Sequence, residues 1–142
     1  MKQKGFTLIE LLAVIIILGL IAVITIPMID KTLTDSKKDI AKNSALNYKR
    51  TVEEYTLKQA ANKNNINLNG TYNINENGYL YNETELHEIS FNGEKPKNGY
   101  FTYIDNELQS GCIVINKYEI KFENGEISDI EKGNCEIEDN TP

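Results

Sequence analysis

The chain divides near residue 30 into a stretch that is apolar on every side and a remainder in which apolar positions recur periodically. Residues 6 to 29, FTLIELLAVIIILGLIAVITIPMI, contain one charged residue, Glu10. From Leu11 to Ile29 there are 19 consecutive uncharged residues, enough as a helix to cross roughly 28 Å of hydrocarbon. This predicts a membrane-spanning helix. Lys2 and Lys4 precede it, so the short N-terminus is expected to stay cytoplasmic while the C-terminal part is exported. Past Pro27, the positions Leu33, Ile40, Ala41, Ala45, Tyr48, Val52, Tyr55 and Gln59 recur mostly three or four apart, with Lys and Glu between them. That spacing predicts an amphipathic helix. Nothing breaks it from Met28 to Ala61, so one helix of about 55 residues and about 80 Å is expected from Thr7, half in the membrane and half packed on an outer domain.

Farther along, the period changes to two. Leu86 to Phe91, Tyr100 to Ile104, Leu108 to Ile115, Tyr118 to Glu123 and Glu126 to Glu131 read as strands. Asp105-Asn106, Asn116-Lys117 and Asn124-Gly125 suit tight hairpins, the last most clearly because both residues tolerate positive φ. Tyr118, Ile120 and Phe122 alternate with Glu119, Lys121 and Glu123, so the first set should face the helix and the second water. Across the turns, Ile113 should oppose Ile120, and Phe122 should oppose Ile127. Ile130 falls out of phase, which requires the last strand to bulge or to end before it. The expected class is α+β: a long N-terminal helix against a C-terminal four-stranded antiparallel sheet over 100–142. Eight Asn between Asn62 and Asn77 mark 62–99 as an irregular, solvated connector.

With 142 residues in all, the chain has room for one small domain beside the span, and multi-domain enzymes are excluded. Residues 1–61 carry 9 Lys/Arg and 6 Asp/Glu, whereas 62–142 carry 6 and 15. An acidic outer part argues against a nucleic-acid surface. Catalysis has no visible home. His87 is the single histidine, which excludes a multi-His metal site, and no nucleophile motif accompanies it; a strand-surface position is expected. NINENG, Asn73 to Gly78, imitates the start of a calcium loop, but Asn stands first and Thr84 occupies the twelfth position, where a bidentate Glu is needed. It reads as an ordinary loop. Glu136, Glu138 and Asp139 read as a solvated acidic end, and neither metal nor cofactor is expected.

Glu10 is the residue this pattern leaves unexplained. A charge inside an apolar span costs on the order of 2.5–3.5 kcal/mol at the helix centre and less near its end, so the carboxylate needs a partner. Around it, Lys4 to Leu12, KGFTLIELL, resembles the prepilin signature of type IV pilins and pseudopilins. The resemblance implies cleavage by prepilin peptidase between Gly5 and Phe6, removal of residues 1–5 as a leader, and methylation of the new amine on Phe6. Pro27 stands where the family carries a proline. It further implies polymerisation through residues 6–29, with the Phe6 amine paired to Glu10 of a neighbouring subunit. Two buried charges are tolerated only when matched. A pairing within one helix, at i and i+4, is the alternative, and the helix dipole also favours an acid there. Gly19 and Pro27 bracket the weakest part of the rod, which in this family loses helix inside filaments. Residues 30–61 would form the amphipathic half.

Cys112 lies in the third strand-like run and Cys135 follows the last. A bond between them would close a loop of about two dozen residues and stabilise by roughly 3 kcal/mol. That is large for a domain with few apolar residues to bury. The resemblance implies such a pairing, since many type IV pilins close the C-terminal region with one disulfide; two free thiols are the alternative. Secretion pseudopilins often use a calcium loop there, so the Cys pair and the defective Asn73 loop favour a pilus. The resulting expectation is a non-enzymatic structural subunit of a type IV pilus serving adhesion, motility or biofilm. Its partners would be its own copies in a helical filament, prepilin peptidase, the assembly platform and its ATPase, and the membrane it spans before reaching the cell surface. A minor pilin or a pseudopilin of a type II secretion or competence system is the nearest alternative. A membrane-tethered extracellular binding module is the second.

Overall fold

The computed structural model describes residues 5–62, 69–82 and 85–136, and Lys2, Lys4, Thr84, Glu138 and Asp139 fall outside them. The chain forms two compact units, Met1–Ser36 and Lys37–Pro142. One helix, α1 (Leu8–Ala61, 54 residues), contributes to both.

In the first unit every described side chain is exposed, including all the large apolar residues from Phe6 to Ile29. A helix that is apolar all round and covered by nothing of its own is suited to lipid or to other helices. It is the one helix, among the described residues, long and apolar enough to cross a membrane. Gly19 and Pro27 both lie inside it without ending it, although Pro27 has no N–H to offer the carbonyl of Val23. The Thr25 and Thr32 hydroxyls donate to the carbonyls of Ile21 and Met28, at 2.7 and 2.9 Å, so neither presents an unpaired polar group.

In the second unit the helix buries Ala41, Ser44, Ala45, Tyr48 and Val52. The Tyr48 hydroxyl donates to the carbonyl of Gly78 at 2.8 Å. Leu33 and Ile40, expected on the same buried stripe, are exposed. Ile40 points away because one residue along a helix turns the side chain by about 100° from Ala41.

Among the described residues the sheet is antiparallel and has seven strands, β1 (Gly70–Ile74), β2 (Leu80–Tyr81), β3 (Leu86–His87), β4 (Asn98–Ile104), β5 (Glu107–Ile115), β6 (Tyr118–Glu123) and β7 (Glu126–Lys132). Their order is β3-β2-β1-β4-β5-β6-β7. The expected meander is β4 to β7. The correction concerns the Asn-rich connector over 62–99, whose described residues supply β1 and β2 where irregular chain was expected, while β3 falls in the expected run Leu86 to Phe91. Tyr72 and Ile74 alternate on the buried face of β1, and β1 pairs along its length with β4. The surrounding asparagines obscure that alternation in the sequence. Asn75 serves the β1–β2 turn: its side-chain oxygen accepts the N–H groups of Asn77 and Tyr79, each at 3.0 Å. The strand expected over Leu86 to Phe91 shrinks to Leu86–His87, after which Ile89 is buried and Phe91 meets the Tyr48 ring edge-on at 5.6 Å.

The three expected hairpins have positive φ at both central residues: 55° and 62° at Asp105-Asn106, 53° and 68° at Asn116-Lys117, and 51° and 78° at Asn124-Gly125. This is the turn geometry whose twist matches that of paired strands. Ile113 opposes Ile120 and Phe122 opposes Ile127. Because Lys121 pairs with Asp129 while Phe122 pairs with Ile127, Ser128 is an extra residue, and Ile130 returns to the core side opposite Ile120. A second bulge at Gln109 does the same for Leu108, which is buried. In the centre the Phe101 ring covers Gly111 on the adjacent strand, where an added Cβ would lie 2.4 Å from it.

Candidate functional site

The N-terminal segment is built from a helix start and its cap. Gly5, Phe6 and Thr7 precede α1 without regular structure and are exposed, so the Gly5-Phe6 peptide bond is open to a protease. Thr7 is the residue just before the first helical turn. Its N–H and its hydroxyl both donate to Glu10 Oε2 at 2.9 Å, and the Glu10 N–H donates to the Thr7 hydroxyl at 3.4 Å. This reciprocal arrangement satisfies donors that the start of a helix leaves over. Sequence reasoning asked for a partner to Glu10 and missed Thr7, although Thr-x-x-Glu before an apolar run is the signal for it. Both bonds fall on Oε2, and among the described residues Oε1 has no such bond. The amine assigned to Phe6 does not exist until the bond to Gly5 is cut.

The C-terminal region is closed on the other side of the sheet. Cys112 of β5 and Cys135 beyond β7 are joined, 23 residues apart in sequence. Both are buried and form a small cluster with Val114, flanked by Tyr100, separate from the core that includes Phe101, Ile113 and Ile115. Beside the bond stands Glu119 of β6, its Oε1 3.5 Å from Cys112 Sγ and 3.4 Å from Lys121 Nζ. Lys121 also reaches Glu131 Oε1 at 3.3 Å. Hydrogen bonds to Glu131 and Glu119 hold the Lys121 ammonium above its ordinary pKa. Glu119, expected to face water, is only 13% exposed, because the C-terminal segment carrying Cys135 folds over this face. The result is a pocket of 540 Å³ lined in part by Tyr100, Glu119, Lys121, Glu131, Asn134 and Glu136.

His87 is not a surface residue. It is buried, its ring 6.0 Å from Tyr55 and 5.7 Å from Tyr72, with Nε2 3.3 Å from Glu85. The alternation of β3 turns Leu86 outward and His87 inward, and packing explains its position without chemistry. Burial, the largest cause, raises the Tyr48 and Tyr103 phenols above their usual range.

Among known proteins, residues 1–26 match the family model described as the prokaryotic N-terminal methylation motif. This is the prepilin signal of type IV pilins and pseudopilins, and it supports a pilin-like or pseudopilin-like substrate of prepilin peptidase. The apolar helix that follows is compatible with membrane anchoring. No curated protein and no solved structure matches the chain.

Proposed function

We propose that the chain is a structural subunit of a type IV pilus, cut by prepilin peptidase between Gly5 and Phe6 and polymerised through residues 6–29 into a surface filament. The observation that carries this reading is an exposed stretch, residues 6–29, apolar all round, that follows the methylation motif's start and whose one carboxylate, Glu10, lies in the first turn of α1. Cleavage frees an amine at Phe6, which carries a proton at neutral pH because the ordinary α-amino pKa is about 8. Thr7 holds Glu10 by one oxygen, and the other oxygen receives the Phe6 ammonium of a neighbouring subunit. Once the helix leaves the lipid, the same apolar side chains pack against those of other copies. Gly19 and Pro27 supply the give needed along the rod during extraction. The assembly platform and its ATPase supply the work.

The test is mass spectrometry of filaments sheared from cells, searching for a peptide that begins at N-methyl-Phe6. Its presence as the dominant species supports a major pilin, and a trace amount identifies a minor subunit or a pseudopilin. Retention of Met1 to Gly5 on a protein that stays in the membrane overturns the proposal in favour of a tethered module. In parallel, Glu10→Ala is expected to abolish or sharply reduce filaments while leaving cleavage at Gly5 intact.

A further inference from the structure

The Cys112, Cys135 and Glu119 side chains form a cluster that the filament reading does not use. The two Sγ atoms and a Glu119 carboxylate oxygen all lie within 4.8 Å of one another. We propose that these three residues are a redox-exchangeable staple: oxidised, the sulfurs bond to each other, and reduced, the two thiolates and the Glu119 carboxylate bind one zinc-like divalent ion.

The distances favour it. In a tetrahedral site with metal–sulfur bonds of about 2.3 Å and metal–oxygen bonds of about 2.0 Å, sulfur and oxygen ligands stand about 3.5 Å apart. Glu119 Oε1 is already 3.5 Å from Cys112 Sγ. Opening the sulfur–sulfur bond lets the two sulfurs take the roughly 3.8 Å spacing that the same geometry asks of them. Cys112 and Glu119 project from paired central strands, where Cys112 opposes Lys121 and Val114 opposes Glu119. Two of the three ligands are therefore set by the sheet. The pocket beside them, lined by Asn134, Glu136 and Glu131, leaves the fourth position to water or to one of these side chains. Two thiolates in the set favour zinc over calcium or magnesium.

The contact is not a hydrogen bond in the oxidised form. A disulfide sulfur carries no hydrogen, so Glu119 gains no donor from Cys112, and its charge is met by Lys121 at 3.4 Å on the same oxygen. Lys121 has a second acceptor in Glu131 at 3.3 Å and can release Glu119 to a metal. It is thus a competitor for the site.

The chemistry balances with a thiol reductant. Two reductant thiols give up two electrons and two protons and end as a disulfide, while the Cys112–Cys135 bond breaks and each sulfur gains a proton. The metal then displaces both protons. In either state the segment carrying Cys135 stays pinned to β5. The proposal is independent of filament assembly.

The test uses the full chain in detergent micelles under argon. A water-soluble phosphine reduces the disulfide, becoming the phosphine oxide with the oxygen of water, and Co²⁺ is the probe. The expected result is one Co²⁺ per chain, with a near-ultraviolet sulfur-to-cobalt charge-transfer band and the intense visible bands of tetrahedral cobalt, both removed by Zn²⁺. Oxidised protein and the C112S variant should show neither. Glu119→Gln should weaken binding by at least the roughly 10- to 100-fold that loss of an outer-shell partner costs, and Lys121→Met should tighten it severalfold. Matching melting temperatures of the oxidised wild type and the oxidised E119Q variant establish that the fold is intact. Absence of the charge-transfer band, or equal affinity in E119Q and wild type, overturns the proposal.

Discussion

Removing the Cys112–Cys135 bond offers the sharpest check on how this small domain is held together. The bond spans 23 residues of sequence. Cross-linking a loop of that size removes about 11 cal/mol/K of entropy from the unfolded chain, or about 3 kcal/mol at room temperature. The second unit, Lys37–Pro142, has an unfolding entropy of about 0.2 kcal/mol/K, so the loss corresponds to a fall of about 15 °C in melting temperature. The perturbation is the C112S/C135S double variant, which keeps both side chains small and removes any metal affinity along with the bond. The assay is thermal unfolding of the full chain in micelles, followed by near-ultraviolet tyrosine circular dichroism. Hydrogen exchange provides a second readout. If the bond acts on the unfolded ensemble, the best-protected amides of β5 and β6 lose protection together. A fall of less than about 3 °C, or loss of protection confined to residues 133–136, would refute the argument and show that the bond merely pins the chain end.

Gly111→Ala places a Cβ 2.4 Å from the Phe101 ring, which is packed against Tyr48, Tyr103 and Phe122 and has no empty space to enter; a loss of about 1–2 kcal/mol in urea unfolding is expected. Lys117→Gly should act in the opposite sense, raising stability by about 0.5–1 kcal/mol, because Lys117 sits at φ 68°, a conformation that costs an L-residue and not glycine. Alkaline unfolding is predicted from the buried phenols. Tyr48 and Tyr103 titrate above the ordinary phenol value of about 10 in the fold and near it when unfolded. Below about pH 10 both states hold the same protons and stability is level; above it only the unfolded chain has released them, so stability falls by about 1.4 kcal/mol per phenol at one pH unit higher. Ultraviolet titration should find that Tyr48→Phe and Tyr103→Phe each flatten this fall.

The stretch from Phe6 to Ile29 was legible because being apolar on every side requires no tertiary partner to interpret. The meander β4 to β7 was legible as well, since its alternation and its Asn-containing turns are local properties that pairing preserved down to Ile113 opposite Ile120. Even the bulge at Ser128 announced itself, through an Ile130 out of phase. Other features were invisible for a common reason. Gly70–Ile74 becomes a strand because β4, 25 to 33 residues away, offers it an edge and the core accepts Tyr72 and Ile74; nothing in an Asn-rich run states that such an edge exists. His87 is buried against the rings of Tyr55 in α1 and Tyr72 in β1, neither of which its own stretch of sequence indicates. The approach of Glu119 and Lys121 to the Cys112–Cys135 bond depends on where the segment after β7 crosses the sheet, which no local pattern encodes. Sequence periodicity determines which face of an element is apolar, whereas which element meets that face is decided only when chain segments remote from one another compete to bury it.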